Sequence, residues 1–135
     1  MIKFRYRKES SQITGTTLRP VAEVLLEAGR EKIEAAMYID SGADITMVSL
    51  ELGKALGFKQ LPKDEILEIK GVSGGGVPYI LKKANLVMNG ETLPIRLAWA
   101  LIEEVPLLLG PLDIFPKFKI IFDERNELII FYPHS

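Results

Sequence analysis

The 135-residue sequence contains no cysteine and a single histidine, His134, next to the C-terminal residue. A chain without cysteine has no disulfide framework, no thiolate metal site and no cysteine nucleophile. A zinc site would have to consist mostly of carboxylates, so the sequence predicts neither a metal nor another cofactor. A histidine at a chain end is more typical of a frayed terminus than of a catalytic base.

The sequence also lacks an excess of either charge and any long apolar segment. Its 17 Lys and Arg residues against 18 Asp and Glu residues give a net charge of −1, which provides no overall field to attract nucleic acid or an anionic membrane. No stretch reaches the roughly eighteen uncharged apolar residues of a membrane-spanning helix, and the N-terminus lacks the apolar core of a signal peptide. These features predict a cytoplasmic protein that binds neither nucleic acid nor membrane.

The length and the composition, 47% hydrophobic and 26% charged, are typical of a single globular domain, here residues 1–135.

Short strands dominate the first part of the sequence. In residues 31–40 apolar side chains alternate with the others, which predicts a strand ending at Asp40, on the face away from the apolar stripe. Residues 18–28 are also strand-like, and residues 28–30 predict a hairpin connection between the two.

The pattern continues in the second part of the chain. Asn89-Gly90 predicts a two-residue type I′ turn, because both residues tolerate a positive φ. Residues 93–101 form the longest alternating stripe. This stripe includes Trp99, which we expect in the core or a dimer interface and not as a ligand platform. Two further strands are expected between residues 118 and 132.

Helices are predicted to be few and short. Ser49 is typical of an N-cap and Gly57 of a C-terminal stop, and the residues between them have helical apolar spacing. A second short turn is predicted to begin at Pro111 and to end before Pro116. The sequence therefore predicts an all-β fold, a closed antiparallel barrel with one or two short helices, and not a βαβ sheet.

The most informative motif is Asp40-Ser41-Gly42, which follows a predicted strand and precedes Ala43 and Asp44. The strand would fix Asp40, the Ser41 hydroxyl could hold neighbouring backbone, and Gly42 would let a ligand approach the main chain. The same three residue types are common in ordinary turns. The tripeptide alone therefore does not indicate catalysis.

Two further segments change that interpretation. Residues 70–80 place a glycine-rich tip between strand-like arms, as a mobile hairpin over a site would need. Residues 107–110, Leu-Leu-Leu-Gly, form an apolar strand that ends in glycine before a short helical turn. Together with the Asp-Ser-Gly-Ala string of residues 40–43, and in this order, they resemble the retropepsin-like (retroviral-type) aspartic proteases over about residues 18–132.

The resemblance implies a single-lobe, acid-protease-like barrel in which Asp40 is the catalytic carboxylate. Ser41, in place of the commoner threonine, would interlock two active-site loops, and Gly42 would contact the substrate main chain. Residues 108–110 would pack behind the catalytic loop. The other expected substrate-contacting residues lie in that loop and at the tip of the flap, the glycine-rich hairpin: Ala43, Asp44, Ser73, Gly74 and Gly75.

One position departs from the family pattern. Family members usually carry arginine after the glycine that matches Gly110, and that arginine pairs with the acid that matches Asp44; this chain has Pro111 instead. One candidate partner for the acid is an arginine, from the same or a second subunit, on the basic face of the N-terminal strand. The alternative is that this face is only solvated. The basic face consists of Lys3, Arg5 and Arg7.

The glycine-rich tip has one other interpretation. Gly71 and Gly76 have the spacing of a phosphate-binding loop, but Val77 and Pro78 occupy the positions at which such a loop needs lysine and a hydroxyl residue. A phosphate-binding function is therefore not expected.

A single chain with one Asp-Ser-Gly supplies half of an aspartic protease site. Asp64, Asp113 and Asp123 lack the hydroxyl and glycine context, so a two-fold homodimer that joins Asp40 of two subunits is the simplest completion. We therefore expect an aspartic endopeptidase that cleaves extended polypeptides. The alternative is a catalytically silent dimeric binding or assembly module with the same fold.

Overall fold

A computed structural model describes residues 1–70 and 75–134 of the chain. The described residues form twelve strands, one α-helix and one 3₁₀ turn. In chain order the elements are β1 (Ile2–Arg5), β2 (Arg7–Ser11), β3 (Gly15–Arg19), β4 (Val21–Ala28), β5 (Glu31–Ile39), β6 (Thr46–Val48), α1 (Leu50–Ala55), β7 (Leu67–Lys70), β8 (Gly76–Met88), β9 (Glu91–Ala100), β10 (Leu108–Leu109), the 3₁₀ turn (Phe115–Lys117), β11 (Phe118–Asp123) and β12 (Leu128–Pro133).

Six of the strands close into a barrel, which confirms the predicted fold class. The order around the barrel is β4-β5-β10-β6-β9-β8, and β8 pairs back onto β4. Four of these pairings are antiparallel, as predicted, whereas β5–β10 and β6–β9 are parallel. Strand β7 extends the sheet beside β8, β1-β12-β11 form a three-stranded sheet, and β2-β3 form a two-stranded sheet of their own.

The predicted turns set the barrel strands in register. Ala28 of β4 pairs with Glu31 of β5 across a turn in which Gly29 has a φ of +57°. Asn89 and Gly90 both have a positive φ, 47° and 83°, as a type I′ turn requires. The strand-like run of residues 18–28 is interrupted at Pro20, which separates β3 from β4 because proline cannot donate a ladder hydrogen bond.

The helical segments form close to where the sequence places them. The Ser49 hydroxyl accepts the N–H of Leu52 at 3.4 Å and caps α1, and Gly57 follows the helix with a φ of +85°. The second turn starts at Pro111, whose carbonyl accepts the N–H of Ile114 at 3.0 Å. It does not end before Pro116 but includes it, since the first turn of a helix tolerates a residue without an N–H.

One main hydrophobic core joins the barrel strands to the β1-β12-β11 sheet, from which Ile2, Phe118, Ile129 and Phe131 contribute. Trp99 is 3% exposed and belongs to this core, and its indole N–H donates to the carbonyl of Leu50 at 3.1 Å. Burial of the large apolar side chains is the main stabilising contribution, about 1.5–3 kcal/mol for each. Among the described residues, the largest that are fully buried are Phe131, Leu26, Met37, Leu56, Ile80, Leu86, Met88, Leu97, Leu109, Ile114, Ile129 and Val48.

Among residues 1–70 and 75–134 there is no helix with the length and apolar character needed to cross a membrane.

Candidate active site

Strand β10 is the element that positions Asp40. It inserts between β5 and β6, with Leu109 beside Ile39 in a parallel pairing and Leu108 opposite Met47 in an antiparallel one. The Asp40 N–H donates to the Leu109 carbonyl at 3.0 Å, which prolongs the β5–β10 pairing by one residue. The backbone of Asp40 is therefore fixed by a strand that comes about seventy residues later in the sequence.

The carboxylate of Asp40 is held by its own loop. Its Oδ1 accepts the backbone N–H of Gly42 at 2.9 Å, and the Ala43 N–H donates to the Asp40 carbonyl at 3.3 Å. A Cβ at position 42 would lie 3.3 Å from Oδ1, a tight contact that glycine, which has no side chain, avoids. Oδ2 accepts no hydrogen bond from the described residues, which leaves one oxygen of Asp40 available for a ligand or a second carboxylate.

The rest of the predicted loop lies at the surface. Ser41 and Asp44 are exposed, and Ala43 is half-buried next to them. Because the role predicted for Ser41 involves a second active-site loop, it stays a prediction. Pro111 follows Gly110, and no described residue forms an ion pair with Asp44.

A buried hydroxyl that the sequence analysis did not single out ties the catalytic loop to the β10 end. Thr46 is fully buried, and its Oγ1 accepts the N–H of Gly110 at 3.0 Å. Gly110 packs directly on the backbone of Ile45 and Thr46. A Cβ at position 110 would lie 2.6 Å from the Ile45 carbonyl oxygen and 2.9 Å from the Thr46 nitrogen. A threonine at the start of a short apolar strand was the only sequence signal for this contact.

Arg96 and Asp113 hold the segment that follows Gly110. Asp113 Oδ1 accepts from Arg96 Nη2 at 2.8 Å, and Oδ2 accepts from both the Nε and the backbone N–H of Arg96 at 2.9 Å. The hydrogen bonds from the Arg96 side chain are the main reason that the pKa of Asp113 is lowered from 3.8 to about 2. This pair was not predicted from the sequence, in which the only signal is that Arg96 is the one charged residue in the alternating stretch of residues 93–101.

Within the described chain the predicted basic face lies at the surface. Lys3 and Arg5 are exposed on β1, and Arg7, also exposed, lies 3.8 Å from Glu9. None of the three forms an ion pair with Asp44 in the chain as described.

The arms of the predicted flap pair as a hairpin. Leu67 to Lys70 of β7 pair with Tyr79 to Gly76 of β8. Gly75 is exposed beside these arms, whereas Ser73 and Gly74 lie outside the described residues. The arms contribute to a second apolar cluster, separate from the main core, which we call the minor apolar cluster. Its members are Met47, Ala98 and Ala100 with the half-buried Ile45, Ile69, Val77, Tyr79, Val105 and Leu108.

Asp40 lines an open groove of about 480 Å³. One wall comes from the β2–β3 hairpin through Glu9 and Arg19, and Leu108 connects the groove to the minor apolar cluster. The groove therefore combines one carboxylate, charged walls and an apolar surface. The residues that line it are Glu9, Arg19, Pro20, Tyr38, Ile39, Asp40 and Leu108.

Two solved structures share this architecture. A retropepsin-like aspartic protease from Rickettsia conorii matches with a TM-score of 0.61 at 17% identity, over 93% of this chain and 98% of that chain. EIAV protease complexed with the inhibitor HBY-793 matches with a TM-score of 0.53 at 19% identity, over 76% of this chain and 88% of that chain. No protein-family model and no curated protein matches the sequence. The chain has the retropepsin-like fold, which confirms the resemblance at the level of the fold.

We predict that Gly110→Ala destabilises the chain by about 1–3 kcal/mol, because the new methyl group overlaps the backbone of Ile45 and Thr46 and forces β10 away from the catalytic loop. The free energy of unfolding from urea denaturation measures the effect. Gly75→Ala is the matched control, since a Cβ at Gly75 meets no described atom within 4 Å. Equal stability of the two variants would contradict the packing argument.

The lowered pKa of Asp113 predicts a pH dependence. The pair with Arg96 contributes its full stability above the ordinary carboxyl pKa of 3.8 and loses it as the pH falls towards about 2. Because both side chains are partly exposed, screening by solvent keeps this contribution small. Asp113→Asn should be less stable than wild type at pH 6, and the difference should shrink as the pH falls from 3.8 through about 2, as measured by urea denaturation.

The matched control for this comparison is Glu51→Gln, which removes an exposed ion pair with Lys54. This change should alter stability by only a few tenths of a kcal/mol. The positive φ of Asp113, 65°, suits asparagine as well as aspartate, so the substitution tests the charge and not the backbone. A constant difference between wild type and Asp113→Asn from pH 6 to pH 2 would count against the ion pair.

Proposed function

We propose that the chain is an aspartic endopeptidase that acts as a homodimer, with Asp40 of each subunit in one catalytic pair. The observation that carries the proposal is the placement of Asp40. It follows β5 with its backbone fixed by Leu109 and one carboxylate oxygen held by Gly42, in a fold shared with two aspartic proteases. The whole chain would act as one domain.

The proposed chemistry needs two carboxylates about 3 Å apart. At that separation both cannot ionise easily, so the pair shares one proton. The charged carboxylate removes a proton from a water molecule as the water attacks the peptide carbonyl, and the protonated one donates its proton to the carbonyl oxygen. Asp40 provides one member, since its Oδ2 accepts no hydrogen bond from the described part of the chain.

Three of the other loop aspartates support a dimer over a site within one chain. Asp64 accepts from Lys82 at 3.0 Å, Asp113 is held by Arg96, and Asp123 accepts from the Asn126 side chain at 2.8 Å. Each is committed to a structural contact of its own. A second Asp40, from a partner subunit, is therefore the proposed second carboxylate.

An extended polypeptide is the proposed substrate. Leu108 lines the groove that contains Asp40 and belongs to the minor apolar cluster, to which the paired arms of β7 and β8 also contribute. An extended chain in such a position forms main-chain hydrogen bonds, and its alternate side chains enter pockets. Gly42, Ala43 and Asp44, with Ser73, Gly74 and Gly75, are the proposed substrate contacts.

The alternative, a dimeric binding module without catalysis, draws on Pro111. The family arginine is missing at this position, and Asp44 forms no ion pair among the described residues. The Arg96–Asp113 pair anchors the segment that follows Gly110, so the missing arginine need not leave this segment loose. This contact favours the catalytic proposal.

We predict that Asp40→Asn lowers peptide cleavage at least about 100-fold, since it removes the acid–base group of the pair. Wild type and variant are incubated with a mixed peptide library between pH 4 and pH 7, and the products are identified by mass spectrometry. The matched control is Asp123→Asn, whose carboxylate serves only a turn contact with Asn126 among the described residues. Equal cleavage by wild type and Asp40→Asn, or none by a folded wild-type dimer, would support the binding module.

Dimerisation is a separate prediction. Sedimentation-velocity ultracentrifugation of the purified chain should show a dimer whose population rises with concentration, for both wild type and Asp40→Asn. The variant serves as a control because the loss of one charge should not prevent assembly. A chain that stays monomeric at several hundred micromolar would refute the half-site argument.

A further inference from the structure

The β2–β3 hairpin lies against the strand that carries the candidate catalytic residue. The Tyr38 hydroxyl donates to Glu9 Oε2 at 2.8 Å, and Tyr38 and Asp40 line the same groove. This hydrogen bond to a carboxylate is the main reason that the pKa of Tyr38 is raised. The hairpin is therefore attached to the barrel two residues before Asp40.

Glu9 sits between two guanidinium groups. Arg7 Nη1 lies 3.8 Å from its Oε2, and Arg19 Nε lies 3.9 Å from its Oε1. Both distances exceed that of a hydrogen bond, so the donors of the two arginines remain available. The side chains of Arg7 and Arg19 are 43% and 55% exposed, whereas that of Glu9 is 29% exposed. The three side chains together carry a net positive charge.

Positive charge continues beyond this cluster. A neighbouring groove of about 410 Å³ contains Lys3, Arg5 and Arg7, with Glu23 as its one acid among the lining residues. Val21 lines this neighbouring groove, and Pro20, the residue before it in the sequence, lines the groove that contains Asp40. The basic face identified in the sequence is thus adjacent to the hairpin wall of the candidate active site.

We propose that Arg19, positioned by Glu9, binds an acidic side chain of the peptide substrate at the hairpin end of the groove. The proposal rests on the proposed function, because it takes Asp40 as the site of cleavage. A carboxylate would pair with the exposed guanidinium in a charge-assisted hydrogen bond. A lysine is disfavoured there, since Glu9 already accepts from Tyr38 and faces two arginines.

The test measures binding without turnover, on Asp40→Asn. Fluorescent peptides of one apolar sequence carry a single glutamate, glutamine or lysine that is moved along the chain, and anisotropy gives Kd at low and at physiological salt. At one or two adjacent positions the glutamate peptide should bind about five- to tenfold more tightly than its glutamine twin. The preference should weaken with salt.

Two variants in the Asp40→Asn background assign the preference to Arg19. Arg19→Gln should abolish it, and Arg19→Glu should invert it in favour of the lysine peptide. The matched control is Arg30→Glu, which changes the charge equally in the exposed turn before β5, roughly 30 Å from Asp40 along the strand. Circular dichroism and thermal unfolding establish that each variant is folded, and Arg19→Gln covers the case in which the charge reversal unfolds the hairpin.

The outcomes separate this inference from the proposed function. A glutamate preference that persists in Arg19→Gln, glutamate and glutamine twins that bind equally, or no peptide binding at millimolar concentration would overturn the inference. Arg19-dependent binding with no cleavage by the wild-type chain would uphold the acidic subsite and refute the endopeptidase. Cleavage by the wild-type chain that does not depend on acidic residues in the peptide would uphold the endopeptidase and refute the acidic subsite.

Discussion

The insertion of β10 between β5 and β6 is the constraint on which the candidate site depends. Three kinds of contact bring segments distant in sequence into one layer. Two residues of β10 pair with the neighbouring strands, the Asp40 N–H donates to the Leu109 carbonyl, and the Gly110 N–H donates to the buried Thr46 hydroxyl. Glycine at 110 is what allows the two backbones to approach so closely. These contacts hold the loop that presents Asp40 in place. The conformation of the carboxylate is then set locally by Gly42.

Much of this architecture is encoded locally and was predictable. The alternation in residues 31–40, the Asn89-Gly90 turn and the Ser49 cap each depend on neighbouring residues, so their outcome could be inferred without knowing the fold. The closed barrel followed from the number of short strands. The two parallel pairings did not, because each joins strands that are far apart in the sequence and the pattern of one segment does not identify its partner.

The contacts that the sequence did not reveal are long-range and polar. In the sequence, Thr46 is one more β-branched residue and Arg96 is typical of a solvent-facing position. In the structure, the Thr46 hydroxyl accepts the N–H of Gly110, and Arg96 donates to Asp113. Pro111 illustrates the same limit. Its departure from the family pattern is visible in the sequence, whereas the alternative anchor that holds the segment depends on a side chain fifteen residues earlier, on another strand.

The β2–β3 hairpin has a consequence for how this fold can diversify. Its strands form a sheet separate from the barrel, yet the hairpin supplies part of the wall of the groove whose floor the barrel provides. Mutations in the hairpin can therefore accumulate without disturbing the register of the barrel strands. Selection can therefore change the hairpin wall of the groove while the barrel keeps its geometry, in the way that exchangeable loops diversify a fixed scaffold.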